Sequence, residues 1–383
     1  MRDFHFFLFV LLCSVTSAIN SCTPAPKANE PAPEGFLTKN IKTVDSLVGA
    51  FMKKYNVPGL SFTIAKDDSI KIEHCYGYAD IDKKELMRPA SRFRIASISK
   101  PITATAIMQL VEQGKLHLQD KVLGKDAILG ITYGAYPYKK WVEDITIEIL
   151  LEHLGGGWGK DQDPVYLHPE MNQAQMIGWT LDNRPIGYEP GTHFLYSNFG
   201  YCLLGRVIEK VTGMKYEDWV RKNILDQCGI TDMQIGGNSL AERLPREVHY
   251  YESKDDPYER FARNMDSFAG WVATPTDLVK FMMRVDKFQQ KPDILQPATL
   301  DTMFATPAVS TGYAKGWMIN KKDDYFHFGN VTGQTSFLAR MHDGFCFAVI
   351  VNTRTGGNFQ GDLDQLMYHI RLAISHWPHG EIR

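Results

Sequence analysis

Strand-like runs stand at both ends of this chain with helix-like runs between them, and that placement constrains the fold more than any motif. Near the start, "LSFTIAKDDSIKIEHCYGYAD" (60–80) reads as two strands about a polar turn at Asp67-Asp68, a hairpin. Near the end come "GYAKGWMIN", "DYFHFGN", "TSFLARM" and "CFAVIVNT", short runs divided by turn residues. Between them the periodicity predicts helices over 98–113, 145–153, 199–212, 216–226 and 276–286. Amphipathic segments flank the strands: "IKTVDSLVGAFMKKYNV", with Ile41, Val44, Leu47, Val48 and Phe51 at helical spacing, and "LDQLMYHIRLAI". The fold expected is α/β of the α+β kind. One antiparallel sheet is built from both chain ends (about 37–96 and 291–383) and flanked by helices, with a mainly helical part inserted over about 97–290. Functional groups would gather at the seam between the two parts.

The first residues lie outside that body. "MRDFHFFLFVLLCSVTSA" has Arg2, an apolar run from Phe6 to Cys13 and then small residues. That is a secretory signal, assigned to 1–21 and too short for a lasting membrane span. Two processing sites compete. Thr16-Ser17-Ala18 suits an ordinary signal peptidase, whereas "INSC" resembles a lipobox in which Cys22 would carry a lipid anchor. The Pro-rich stretch over 22–36 favours the lipid, since it reads as a semi-extended tether between anchor and folded domain. The expectation is an exported protein of the periplasm or cell envelope, held to a membrane through that lipid.

Other function classes find little support. A formal charge of −2 leaves no basic footprint for nucleic acid. The 12 histidines form no H-E-x-x-H and no compact ligand spacing, so neither metal nor cofactor is implied. "GGGWGKD" imitates a phosphate loop but has Asp161 where a hydroxyl should bind magnesium, and no G-x-S-x-G nucleophile elbow occurs. Cys75, Cys202, Cys228 and Cys346 are scattered, and a chain of 383 residues can build a core without disulfides, so packed free thiols are expected.

The remaining chemistry centres on "FRIASISKPITATAIMQLVEQGKL" (93–116). One helical turn puts Ser97 and Lys100 on the same face, where a lysine can help activate a serine as nucleophile. The plainer reading is that Ser97 or Ser99 caps the helix and Pro101 suits its start. Three more stretches are ambiguous in the same way. In "GTHFLYSNFGYCLLGRVIEKVTG" (191–213), Tyr196-Ser197-Asn198 precedes a helix stopped by Gly213, and Asn198 would serve as its cap. In "YFHFGNVTGQTSFLARM" (325–341), His327, Gly329 and Gly333 lie on and just after a strand, where glycine permits close approach of a backbone or ligand. "ITIEILLEHLGGGWG" (145–159) ends a helix in His153 and a glycine run.

In this order, these stretches resemble the serine β-lactamase-like family, which also holds penicillin-binding D,D-peptidases and esterases, over about 40–380. The stretch from Phe93 looks like the family's nucleophile helix. "ITIEILLEHLGGG" is similar to its I-T-x-x-x-L-L-x-H segment, with Leu154-Gly155 where Thr-Ser is common. "YSN" matches Y-x-N, "FAGWVATPTDLVKFM" resembles a late helical segment, and "HFG" resembles an H-x-G variant of K-T-G. The resemblance implies a β-lactamase/transpeptidase-like fold with Ser97 as nucleophile, Lys100 as its partner and Tyr196 as general base. It also implies that Asn198 bonds the substrate or Lys100, and that His327 and Gly329 line the strand beside the scissile carbonyl. The N–H groups of Ser97 and Asn330 would form the oxyanion hole.

Elementary chemistry agrees. A serine hydroxyl needs a base within about 3 Å. A tyrosine acts as one only if cations stabilise its phenolate, here Lys100 and a protonated His327. His327 and Phe328 replace the lysine and threonine that hold a substrate carboxylate in lactam-specialised relatives. Histidine is only partly charged at neutral pH, and phenylalanine offers no hydrogen bond. Phe328, with Trp158, Trp271 and Tyr313, would suit an apolar acyl or alcohol group, although such aromatics are also ordinary core. The reading is an exported serine hydrolase or acyltransferase, acting through an acyl-serine on esters or small amphipathic acyl compounds. D,D-peptidase or D-amino-acid amidase activity, β-lactamase activity and an inactive binding module are the alternatives.

Overall fold

The computed structural model describes residues 36–159, 162–252, 255–258, 262–374 and 377, so the expected signal peptide, Cys22 and all of the expected tether except Phe36, which instead begins a helix, lie outside the described residues. The described part opens with helix α1 (Phe36–Tyr55) and strands β1 (Gly59–Lys66), β2 (Ser69–Asp80), β3 (Glu85–Leu86) and β4 (Phe93–Arg94). It then enters a helical part: α2 (Ser99–Glu112), α3 (Ile147–Leu151), α4 (Gln173–Asn183), α5 (Asn198–Thr212) and α6 (Tyr216–Val220). Two short strands, β5 (Gln234–Ile235) and β6 (Trp271–Ala273), precede α7 (Pro275–Met282) and α8 (Pro297–Phe304). Strands β7 (Met318–Ile319), β8 (Tyr325–Val331), β9 (Gln334–Arg340) and β10 (Phe345–Val351) and helix α9 (Phe359–Ala373) complete it.

The two chain ends do share one antiparallel sheet, in the order β3-β2-β1-β10-β9-β8-β7. The ends join where β1 pairs with β10, from Leu60 opposite Val351 to Lys66 opposite Phe345. The β1–β2 hairpin forms where expected, with Asp67 and Asp68 at φ 49° and 56°, the left-handed pair that a tight hairpin turn requires. Strand alternation then sorts the side chains into two cores. Phe62, Ile64, Phe347 and Val349 face the terminal helices α1 and α9, whereas Ala65, Cys346, Ala348 and Ile350 face the helical part. Being covered on both faces, β10 carries no polar residue.

Two helices end at least four residues earlier than periodicity alone predicts. The run expected over 216–226 is α-helical only to Val220, then passes through a π turn (Arg221–Leu225) and a 3-10 turn (Asp226–Cys228). The run expected to reach 286 stops at Met282, and α7 packs against the main sheet, Thr276 Oγ1 lying 2.8 Å from Thr63 Oγ1. All four cysteines of the folded part are buried free thiols, as expected. No helix among the described residues is long and apolar enough to cross a membrane.

The seam is built from the small sheet β4-β6-β5. At its edge, the Ile95 N–H donates to the Trp271 carbonyl at 3.0 Å. The Ile95 carbonyl in turn accepts from Ser336 Oγ of β9 at 3.2 Å. This double tie fixes the 3-10 turn Ala96–Ile98 against the main sheet just before α2 begins.

Candidate active site

Ser97 sits on that turn, after Ala96 at φ 48°, a left-handed backbone that costs a non-glycine residue about 1–2 kcal/mol. The capping reading fails. The N-cap position of α2 is Ile98, no side chain caps it, and the Ser99 hydroxyl is buried without a partner. Lys100 is fully buried. Its Nζ donates to Ser97 Oγ at 3.1 Å, to Asn198 Oδ1 at 2.7 Å and to the Phe268 carbonyl at 3.1 Å, and lies 4.7 Å from the centre of the Tyr196 ring. Burial pulls its pKa down to about 7, opposed by the negative charge of Asp163.

The Y-x-N segment meets the lysine from the other side. Ser197, not Asn198, caps α5 by accepting the Gly200 N–H at 3.0 Å, and the helix stops at Gly213 with φ 70°. That frees the Asn198 side chain, which also donates from Nδ2 to Tyr166 Oη at 3.0 Å. Tyr196 shares a side-chain hydrogen bond with Ser97, and burial raises the pKa of its hydroxyl well above the ordinary value. His153 packs 4.2 Å from Tyr196 between ring centres, and its Nδ1 accepts the Ser197 N–H at 3.1 Å. Burial and the neighbouring Lys100 keep that imidazole neutral. In the glycine run beside it, Gly159 serves packing, since a Cβ there would overlap the Tyr196 carbonyl.

Strand β8 closes the third side, with two corrections to the sequence reading. His327 is buried beside Lys100 and held to a pKa of about 3, so it is neutral and cannot supply the expected cationic field. Its Nδ1 donates to the Phe328 carbonyl at 2.6 Å, so Nε2 accepts from Tyr313 Oη at 3.2 Å. Phe328 is not a pocket wall. Alternation turns it to the opposite face, where it stacks on Phe337 at 4.5 Å and joins the core under the terminal helices. Trp158 and Trp271 are core residues as well, their indole N–H groups bonded to the Arg184 carbonyl and Tyr216 Oη. Tyr313 alone of those aromatics reaches the site.

Gly329 faces inward where only hydrogen fits, since a Cβ would overlap the Ile95 carbonyl and Ser336 Oγ. The Asn330 side chain turns outward toward Gln360. Its backbone N–H is another matter. The two-residue turn after Val331 makes Val331 and Gln334 a hydrogen-bonded pair, so the Asn330 N–H points to the open edge of β8 beyond the reach of β7.

The β-lactamase family model matches residues 44–370. The chain belongs to the beta-lactamase family. Protein flp of Staphylococcus aureus (strain MRSA252) is 25% identical to it over 304 residues, or 77% of this chain and 59% of that protein. The chain thus spans about three-fifths of the length of that relative. A penicillin-binding protein of Bacillus subtilis (strain 168) is 25% identical over 80% of this chain and 69% of its own. Among solved structures, the D-amino acid amidase of Ochrobactrum anthropi SV3 complexed with L-phenylalanine shares the fold, with a TM-score of 0.72 at 22% identity, covering 87% of this chain and 98% of the amidase. Two of these neighbours, Tyr166 and Asp163, lie outside the stretches that carry the resemblance, and the third, the Phe268 carbonyl at the start of "FAGWVATPTDLVKFM", is a backbone group that no side-chain pattern marks. Each reaches Lys100 or Asn198 from a loop, and loop placement has no periodic signal in sequence. Among the described residues no group of His, Cys, Asp and Glu side chains could hold a metal ion.

Proposed function

We propose that the protein is a serine hydrolase or acyltransferase that acylates Ser97 from uncharged acyl donors, esters or small amphipathic acyl compounds. The observation that carries this reading is the contact of Ser97 Oγ with both Lys100 Nζ and Tyr196, beside an open strand edge. With a pKa near 7, Lys100 is about half neutral at physiological pH and can take the Ser97 proton as Oγ attacks the carbonyl. The N–H groups of Ser97 and Asn330 would receive the oxyanion. The family resemblance gives the base's role to Tyr196. Burial and the neutral His327 work against a phenolate, so Tyr196 acts better as a relay, passing its proton to the leaving group and regaining one from Lys100. Water or an alcohol then takes the acyl group from Ser97.

A second reading is hydrolysis of a small amide. An amine must be protonated to leave, which is what a neutral Tyr196 hydroxyl can do, and the fold is shared with a D-amino acid amidase. Residues 1–36 further support export with lipid attachment at Cys22.

Intact-mass analysis after incubation with a short-chain aryl ester, a D-amino acid amide, a D-Ala-D-Ala peptide and a penicillin tests the reading. The expected result is an acyl adduct from the ester, absent in Ser97→Ala. An adduct from penicillin alone would reverse the substrate ranking, and an adduct surviving in Ser97→Ala would move the nucleophile elsewhere.

A further inference from the structure

One buried carboxylate beside the site belongs to no motif. Asp163 follows the glycine run, just before the 3-10 turn Pro164–Tyr166, and is 1% exposed. Its Oδ2 accepts the Asn198 N–H at 2.6 Å and its Oδ1 the Val165 N–H at 3.3 Å, and the Phe199 N–H also bonds to it. Two of these three donors belong to the first turn of α5, the positive end of that helix, where an anion is favoured. A short path leads onward. The backbone of Asn198 is held by Asp163, and its Oδ1 accepts from Lys100 Nζ at 2.7 Å.

We propose that Asp163 is a positioning residue of the acyl-transfer site: it fixes Asn198 at the start of α5 and supplies the negative charge against which Lys100 holds its proton. The catalytic consequence rests on the Ser97 reading above. Lys100 is otherwise surrounded by groups that burial keeps neutral: His153 after α3, Tyr196 and Tyr201 at the start of α5, Tyr313, and His327 of β8. Among the described residues, Asp163 is the anion acting on Lys100. Burial pushes the Asp163 carboxyl up to about 7 while its backbone donors oppose that rise, so the two groups titrate as a pair. Without Asp163, desolvation of Lys100 would act unopposed, and its neutral form would persist to lower pH.

The test is the titration of Lys100, followed by the NMR signal of 13Cε-labelled lysine that disappears in Lys100→Met. Asp163→Asn, which keeps an acceptor and loses the charge, should move the midpoint down by about one pH unit. Asp163→Ser, a smaller neutral acceptor suited to a helix start, gives the same readout if the amide variant folds poorly. Ser197→Ala removes a cap from the same helical turn without changing charge. It should lower Tm and leave the midpoint in place. A midpoint unmoved in both Asp163 variants, or moved as far in Ser197→Ala, overturns the inference. Labelling of Ser97 by an uncharged aryl phosphonate is followed in parallel, and its acid limb should move with the midpoint. No labelling of the wild type would sink the Ser97 reading instead, while the NMR midpoint still decides the role of Asp163.

Discussion

Tyr313 Oη donates to His327 Nε2 at 3.2 Å, while His327 Nδ1 donates to the carbonyl of its neighbour Phe328 at 2.6 Å. Both ring nitrogens are occupied within the protein, and burial keeps the ring neutral. The position where lactam-specialised relatives are expected to carry a lysine therefore offers a substrate carboxylate neither charge nor a free N–H.

Short-chain aryl esters should accordingly exceed a chromogenic cephalosporin in kcat/KM by at least about tenfold, or about 1.4 kcal/mol in transition-state binding. His327→Lys should narrow that gap. Parallel initial-rate measurements on the two substrates decide it, and a wild-type preference for the cephalosporin would refute the assignment.

Phe328→Thr bears on stability and hardly on chemistry. The ring stacks on Phe337 on the face turned away from Ser97, so its loss should destabilise the protein by about 1–3 kcal/mol. Ester kcat/KM should stay within about twofold. Urea unfolding with kinetics on the same preparation checks both halves, and a large change in kcat/KM without a change in stability would return Phe328 to the site.

The sheet made from both chain ends was legible because β1, β2, β8, β9 and β10 each carry strand-type residues bounded by turn residues. Ser97, Lys100, Tyr196 and Asn198 were legible through their motifs, and the structure brings all four into contact. The side of Phe328 was legible in principle, since His327 and Gly329 face the site and the residue between them must face away. The charge on His327 was not. It depends on burial in the folded protein and on the charge of Lys100, which lies more than two hundred residues earlier in the chain. Asp163 had no signal either, because its partners Asn198 and Phe199 lie more than thirty residues along the chain and are met through backbone N–H groups that any sequence possesses.

Lys100→Ala and Tyr196→Phe should each lower turnover by about 10²–10⁴-fold, and the double variant should lose far less than the product, because both act on one proton path. The pH profile carries the sign. Lys100 accepts a proton only when neutral, so kcat/KM should rise with pH through about 7 and fall about tenfold per unit well below it. His327 titrates near 3, too low to add a second limb in the assay range. A flat profile between pH 5 and 8 would remove Lys100 from the base's role.

Gly329→Ala tests how closely β8 must approach the nucleophile turn. The new methyl would overlap the Ile95 carbonyl, two residues before Ser97, and the Ser336 hydroxyl that bonds to that carbonyl. Neither neighbour is a free side-chain end: one is backbone, and the other is a buried group on the adjacent strand. The strand must move outward, taking the Asn330 N–H with it, while Ser97 stays on the turn that β6 also holds through Ile95 and Trp271. Overpacking of this kind costs about 1–3 kcal/mol of stability. Loss of one oxyanion donor lowers turnover by about 10²–10³-fold. Acylation of Ser97 should therefore slow by at least about a hundredfold at a temperature where the variant is still fully folded, read as the phosphonate labelling rate beside the thermal unfolding curve. Labelling at the wild-type rate in a folded Gly329→Ala protein would place the oxyanion hole away from Asn330.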